Sequence, residues 1–118
     1  MKFSITNAVA FTYFKGKLIM WAAATGIDIM GTECQRFPER QQKLVEAGAS
    51  KTMDSDHIVC CAEDFDVIDN GRVVKDGKDG RYERLGLYWE SLNPRCYWGG
   101  RWKSGDSRHF GYRPKEVV

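Results

Sequence analysis

The chain contains only two histidines, and both stand among carboxylates. His57 opens the run His57-Ile58-Val59-Cys60-Cys61-Ala62-Glu63-Asp64, and His109 closes Asp106-Ser107-Arg108-His109. Imidazole nitrogen and carboxylate oxygen both suit Zn²⁺, and a catalytic zinc site takes three protein ligands while keeping a position for water. His57, Asp64 and His109 supply such a set, with Asp106 left as a nearby carboxylate to handle protons. His57 and Asp64 are seven residues apart, so one uninterrupted strand would point them to opposite faces. Both reach one cation only if His57 lies on the loop before the strand, or if a bulge intervenes near Val59 to Cys61. Asp66 shares the parity of Asp64 and is the reserve ligand. Singly, each has a plainer reading: a surface or core histidine, the solvent side of a strand, a turn after Gly105.

The elements that must position these groups follow from periodicity. From about Asn7 to Thr25, apolar residues recur at three- and four-residue steps, which predicts a helix weakened at Gly16 and stopped at Gly26. Ile27 to Met30 alternates as a short strand running toward Glu33 and Arg36. Pro38 opens a second helix that ends near Gly48, and a polar loop from Ala49 to Asp56 delivers His57. Ile58 to Ile68 is β-rich, with a hairpin turn at Asp69-Asn70-Gly71-Arg72 returning Val73-Val74. Tyr82 to Leu92 forms a third helix ended by Asn93-Pro94, and short strands and loops finish the chain. The fold class is α+β, a small antiparallel sheet packed with about three helices.

Bulk properties narrow the choices. At 118 residues one domain is expected, and 42% hydrophobic with 29% charged residues is an ordinary soluble composition. A net charge of +2 commits the chain to neither nucleic acid nor membrane. No unbroken apolar segment precedes a small-residue cleavage site, so no signal peptide and no membrane insertion are expected. The cysteines 34, 60, 61 and 96 show no C-x-x-C spacing and read as reduced, buried thiols. Cys60, close to a ligand, could compete for zinc as a thiolate.

Ser55, His57, Ala62 and Asp64 match four positions of S-x-H-x-x-G-x-A-x-D, with Cys60 in place of its glycine. Glu33, Arg36 and Gln41 fit E-x-x-R-x-x-x-x-Q, and Gly48 to Thr52 a G-x-S loop. Trp98-Gly99-Gly100 and Asp106-x-x-His109-Phe110 fit W-G-G…D-x-x-H-F. In this order the motifs resemble the zinc D-Ala-D-Ala and L-Ala-D-Glu peptidases, a group with the hedgehog-type fold, from about residue 8 to residue 112. Gly111 departs from the acidic residue that often follows H-F.

The resemblance implies Zn²⁺ on His57, Asp64 and His109, a bound water acidified to a pKa of ~7, and Asp106 as general base. It implies Arg36 on a substrate carboxylate or the oxyanion, Ser55 tethering the His57 loop, and Trp89, Trp98 and Trp102 as core and cleft walls, Trp98 touching substrate. The implied protein is a monomeric phage-type endolysin. It is made in the host cytoplasm and released to cut bacterial peptidoglycan at L-Ala-D-Glu, with D-Ala-D-Ala cleavage as the alternative. A zinc-holding virion protein is a non-catalytic rival. Another is single-stranded nucleic-acid binding through the end of the chain, where six basic residues (Arg95, Arg101, Lys103, Arg108, Arg113, Lys115) face Asp106 and Glu116 among interleaved aromatics. That rival leaves the His/Asp clusters without a role, and no nucleic-acid partner is expected.

Overall fold

In the computed structural model residues 3–50 and 55–114 are described. The Lys51-Thr52 end of the expected loop motif, and Lys115 and Glu116 of the basic segment, lie outside them. The N-terminal helix, α1, spans Ile5–Thr25. It starts two residues before the expected Asn7 because the Ser4 side chain accepts the Asn7 N–H, a helix-capping bond that apolar periodicity does not register. Gly26 ends it at φ 76°, in the left-handed region where a Cβ is disfavoured. Phe11, Leu18 and Ala22 form its buried stripe, while Ile5, Val9 and Met20 leave an apolar outer face. Among the described residues no helix is long and apolar enough to cross a membrane.

Strand β1 (Asp28–Glu33) leads to helix α2 (Pro38–Glu46). Strand β2 (Ala62–Asp69) turns back through Asn70 and Gly71 into the two-residue β3 (Arg72–Val73). Both turn residues have positive φ, 51° and 74°, as a two-residue hairpin of right-handed twist requires. Helix α3 (Gly80–Leu92), strand β4 (Cys96–Trp98), a 3-10 turn (Gly99–Arg101) and strand β5 (His109–Tyr112) complete the order. The strands lie β1-β2-β5-β4, every pairing antiparallel, with β3 on the end of β2. This is the α+β arrangement expected.

One sheet face is covered by α1 and α3. Trp89 of α3 is fully buried, its ring edge-on to Phe11 at 5.8 Å and to Phe110 at 6.3 Å. Its indole N–H donates to the carbonyls of Tyr97 and Gly111, at 3.0 and 2.9 Å, so the polar end of this core residue is satisfied. The opposite face of β2, β5 and β4 carries Asp64, His109 and Tyr97 and forms the floor of a cleft. The strand expected from Ile58 begins only at Ala62, because Ser55 to Cys61 close successive turns through bonds to the Ser55, Asp56 and His57 carbonyls.

Two helical glycines give opposite expectations. A Cβ at Gly16 would meet nothing, whereas one at Gly86 would overlap the Trp98 ring packed against α3. Gly16→Ala is expected to raise stability by about 1 kcal/mol through helix propensity. Gly86→Ala should lower it by about 1–3 kcal/mol through overpacking, despite the same propensity gain. Urea unfolding of both variants checks the pair, and shifts of the same sign would contradict this packing.

Candidate metal centre

Three elements bring the expected ligands together. Asp64 is on β2 and lies opposite His109 on β5, so the two side chains share one sheet face. His57 comes from the turn before β2, which removes the parity difficulty: it is not part of the strand at all. Its Nε2 lies 3.3 Å from Asp64 Oδ1, and His109 Nδ1 lies 3.7 Å from the same oxygen. One donor atom from each of the three residues falls within 4.8 Å of the others. Asp66, the reserve ligand, instead pairs with Arg108 at 2.7 Å.

The donor set fits a divalent cation on independent grounds. Asp64 Oδ1 is buried and accepts no hydrogen bond, an expensive state for a carboxylate oxygen unless a cation satisfies it. Burial, with a further contribution from His57, pushes the His109 pKa down to about 4. The ring is therefore neutral at pH 7 and keeps a lone pair for coordination.

Outer contacts fix both imidazoles. His57 Nδ1–H donates to the Cys34 carbonyl at 3.0 Å, leaving Nε2 for the shared centre. The Ser55 hydroxyl accepts the His57 main-chain N–H at 3.3 Å, tying down the turn. His109 Nε2 is 3.0 Å from the Tyr97 hydroxyl, which also donates to Asp56. Neither Tyr97 nor Asp56 stood out in the sequence as part of a site. The only available signal for Tyr97 was alternation within β4, where it and Trp98 must face opposite ways.

That alternation also places Trp98. Its ring is buried against Gly86 and Gly100, and its indole N–H donates to the Ser107 carbonyl at 2.8 Å. Trp98 is absent from the wall of the ligand cleft, which Tyr97 and Trp102 form instead. The cleft, of about 810 Å³, also receives Arg36, Ser55 and Asp106.

Arg36 follows β1 and is largely buried. It pairs with Glu33, donates to Gln41 Oε1 at 2.8 Å, and approaches Asp64 Oδ2 at 3.8 Å. The ion pair with Glu33 and a place in the cleft thus coexist. Buried Gln41 passes the fixation on by donating to the Ser50 hydroxyl at 2.8 Å. Asp106 opens into the cleft, yet the surrounding protein desolvates its carboxyl enough to raise its pKa, and Asp64 adds to the rise.

Among the described residues, the basic segment at the end of the chain is divided between core, ion pairs and cleft. Phe110 and Tyr112 are buried in the core. Arg101 pairs with Glu90 at 2.6 Å and Arg108 with Asp66, while Arg113 lies over the Tyr97 ring at 4.9 Å, so two of these cations are matched by carboxylates and a third by a cleft ring.

No family model matches the chain. It is 33% identical over 102 residues to the L-alanyl-D-glutamate peptidase of Listeria phage A118, across 84% of this chain and 35% of that protein. The chain thus spans about a third of the length of this curated relative. The crystal structure of the Serratia marcescens L-Ala D-Glu endopeptidase ChiX superposes with a TM-score of 0.61 at 26% identity, covering 73% of this chain and 67% of the other. Both relatives are named for the L-Ala-D-Glu bond, in line with the family that the motif order resembles.

The depressed His109 pKa has a consequence for the metal-free protein. Between about 6.5, the ordinary value, and about 4, the unfolded chain takes up a proton that the folded chain refuses. Stability contributed by neutral His109 is therefore complete above pH 6.5 and is lost as pH falls toward 4. The loss should be on the order of 3 kcal/mol. Urea melts of chelator-treated protein at pH 7 and pH 4.5 measure it, and equal stabilities would contradict the burial of a neutral ring.

Proposed function

We propose that the chain is a zinc-dependent peptidase of the phage endolysin type, cutting the peptidoglycan stem peptide between L-Ala and D-Glu. The observation that supports this most strongly is the buried, unpartnered Asp64 Oδ1 flanked by His57 Nε2 and His109 Nδ1 on the floor of an open cleft. Two relatives, one in sequence and one in structure, are named for cleavage of this bond. Among candidate cations, Zn²⁺ suits two imidazoles and one carboxylate best. When bound, it supplies Lewis acidity to the scissile carbonyl and to a water molecule.

The remaining work falls to side chains. Asp106 takes a proton from the attacking water on its carboxylate and returns it to the D-Glu amine as the peptide bond breaks, leaving an L-Ala carboxylate. Desolvation and the neighbouring Asp64 carboxylate strengthen its hold on that proton. Arg36, permanently charged and held by Glu33 and Gln41, stabilises the developing oxyanion or binds a stem-peptide carboxylate. Ser55 keeps the His57 turn in place. Tyr97 and Trp102 flank the substrate and exclude water. All these groups come from one chain, so a monomer suffices. Synthesis in the host cytoplasm and action on the wall after release complete the reading.

Mass spectrometry of purified peptidoglycan digested with the protein is expected to show new N-terminal D-Glu. Released D-Ala without it would reassign the bond to D-Ala-D-Ala. Asp106→Asn should keep bound zinc and lose about 10²- to 10⁴-fold in wall-lytic rate, and wild-type lysis would remove it as the base. His57→Ala and His109→Ala should each lose stoichiometric zinc by elemental analysis, and an unchanged zinc content would contradict the ligand set.

A further inference from the structure

The two histidines are oriented by different means. His57 hands its outer proton to a main-chain carbonyl, a partner no side-chain substitution can remove. His109 relies on side chains. Its Nδ1 faces Asp64, so in a neutral ligating ring the proton sits on Nε2 and points at Tyr97 Oη, 3.0 Å away. The Tyr97 hydroxyl then has one proton of its own, and Asp56 Oδ2 accepts it. The direction is forced: if Tyr97 donated to Nε2 instead, the proton of the neutral ring would occupy Nδ1 and block coordination.

The fold has been shaped to admit this contact. Tyr97 on β4 lies opposite Gly111 on β5, and a Cβ at residue 111 would overlap the phenol ring and its oxygen. Gly111 therefore leaves the space that Tyr97 crosses to reach His109, two residues along the same strand face. The ring rests between neighbours, its centroid 5.5 Å from that of His109 and 6.1 Å from that of Trp102, with the Arg113 guanidinium 4.9 Å away.

The geometry points to Tyr97, backed by Asp56 and admitted by Gly111, as the positioning residue that holds His109 in its Nδ1-ligating tautomer and thereby sets cation affinity. This goes beyond the assignment of the ligands, and it rests on the metal-centre reading above. A carboxylate that polarises a histidine through an intervening phenol should raise the basicity of the ligating nitrogen. Loss of such an outer contact commonly weakens metal binding about 10- to 100-fold.

Competition titration of Zn²⁺ against a chelating dye tests this on the full chain. Tyr97→Phe keeps the ring and removes only the hydroxyl, so the metal-free thermal midpoint should move little while Zn²⁺ affinity falls about 10- to 100-fold. Asp56→Asn, which can still accept from the phenol but lacks the charge, should fall by less and serves as the second variant if Tyr97→Phe folds poorly. Long-range ¹H–¹⁵N NMR of the metal-free protein should show His109 as the Nε2–H tautomer in the wild type and as a mixture in Tyr97→Phe, a change that a purely structural role would not produce. Wild-type Zn²⁺ affinity and an unchanged tautomer in both variants would overturn the relay and leave the peptidase reading standing. A wild-type chain that binds no Zn²⁺ would overturn both.

Discussion

The register of β2 against β5 sets Asp64 opposite His109, and most of the cleft floor follows from that single pairing. A strand shifted by one residue would turn its whole side-chain set to the other face. On the helix-covered face, Phe65 and Val67 of β2 and Phe110 and Tyr112 of β5 are all buried. Slippage would expose these residues and bury charges in their place, at a cost of several kcal/mol per large side chain. The hydrophobic face thus fixes the polar one. A carboxylate and an imidazole are held within reach of each other because their neighbours in sequence belong to the core.

Strand parity separates what was legible in the sequence from what was not. Asp64 and His109 could be recognised from motif spacing, and the conflict between His57 and Asp64 itself indicated that either His57 left the strand or a bulge separated the two. The turn from Ser55 to Cys61 supplies that departure. Trp98 was harder to place, since a tryptophan beside two glycines suits a cleft wall as well as a core. Only the pairing Trp98↔Phe110 puts it on the buried face, and with it Tyr97↔Gly111 on the open one. Tyr97 and Asp56 are separated by 41 positions in the chain. No local pattern reports such a contact, because it depends on β4 lying beside β5 and on the preceding turn folding back over both.

Most carboxylates beside the ligand set are answered by a donor or a cation. Glu33 is answered by Arg36 and Arg40, Asp56 by the Tyr97 hydroxyl, and Asp64 Oδ2 by Arg36. On the helix-covered face of β2, Lys15 of α1 answers Glu63 at 2.9 Å, in a space that Gly31 leaves open. Asp64 Oδ1 is what remains, and the burial that lowers the His109 pKa denies it a protonated imidazole as counter-ion. A buried carboxylate oxygen left unmatched beside matched neighbours draws positive charge to that point. The hydrogen bonds around it make the vacancy in the charge balance local rather than diffuse.

Cys60 shows how tightly this turn is constrained. It occupies the position of the motif glycine and adopts φ 58°, the left-handed region that costs a residue with a Cβ about 1–2 kcal/mol. The chain accepts this strain instead of rerouting, because the turn is fixed on several sides. The His57 carbonyl receives the Arg36 N–H at 2.9 Å as well as the Cys60 N–H at 3.4 Å, and the Asp56 carbonyl receives Cys61 N–H at 2.9 Å. These bonds join the Arg36 segment, the His57 turn and the start of β2 into one unit. Moving residue 60 to a relaxed conformation would break the bonds that aim His57 Nε2 at Asp64. The glycine is thus dispensable for the path of the backbone, though not for its ease, and the ligand geometry persists because its hydrogen-bonded surroundings outweigh the local strain.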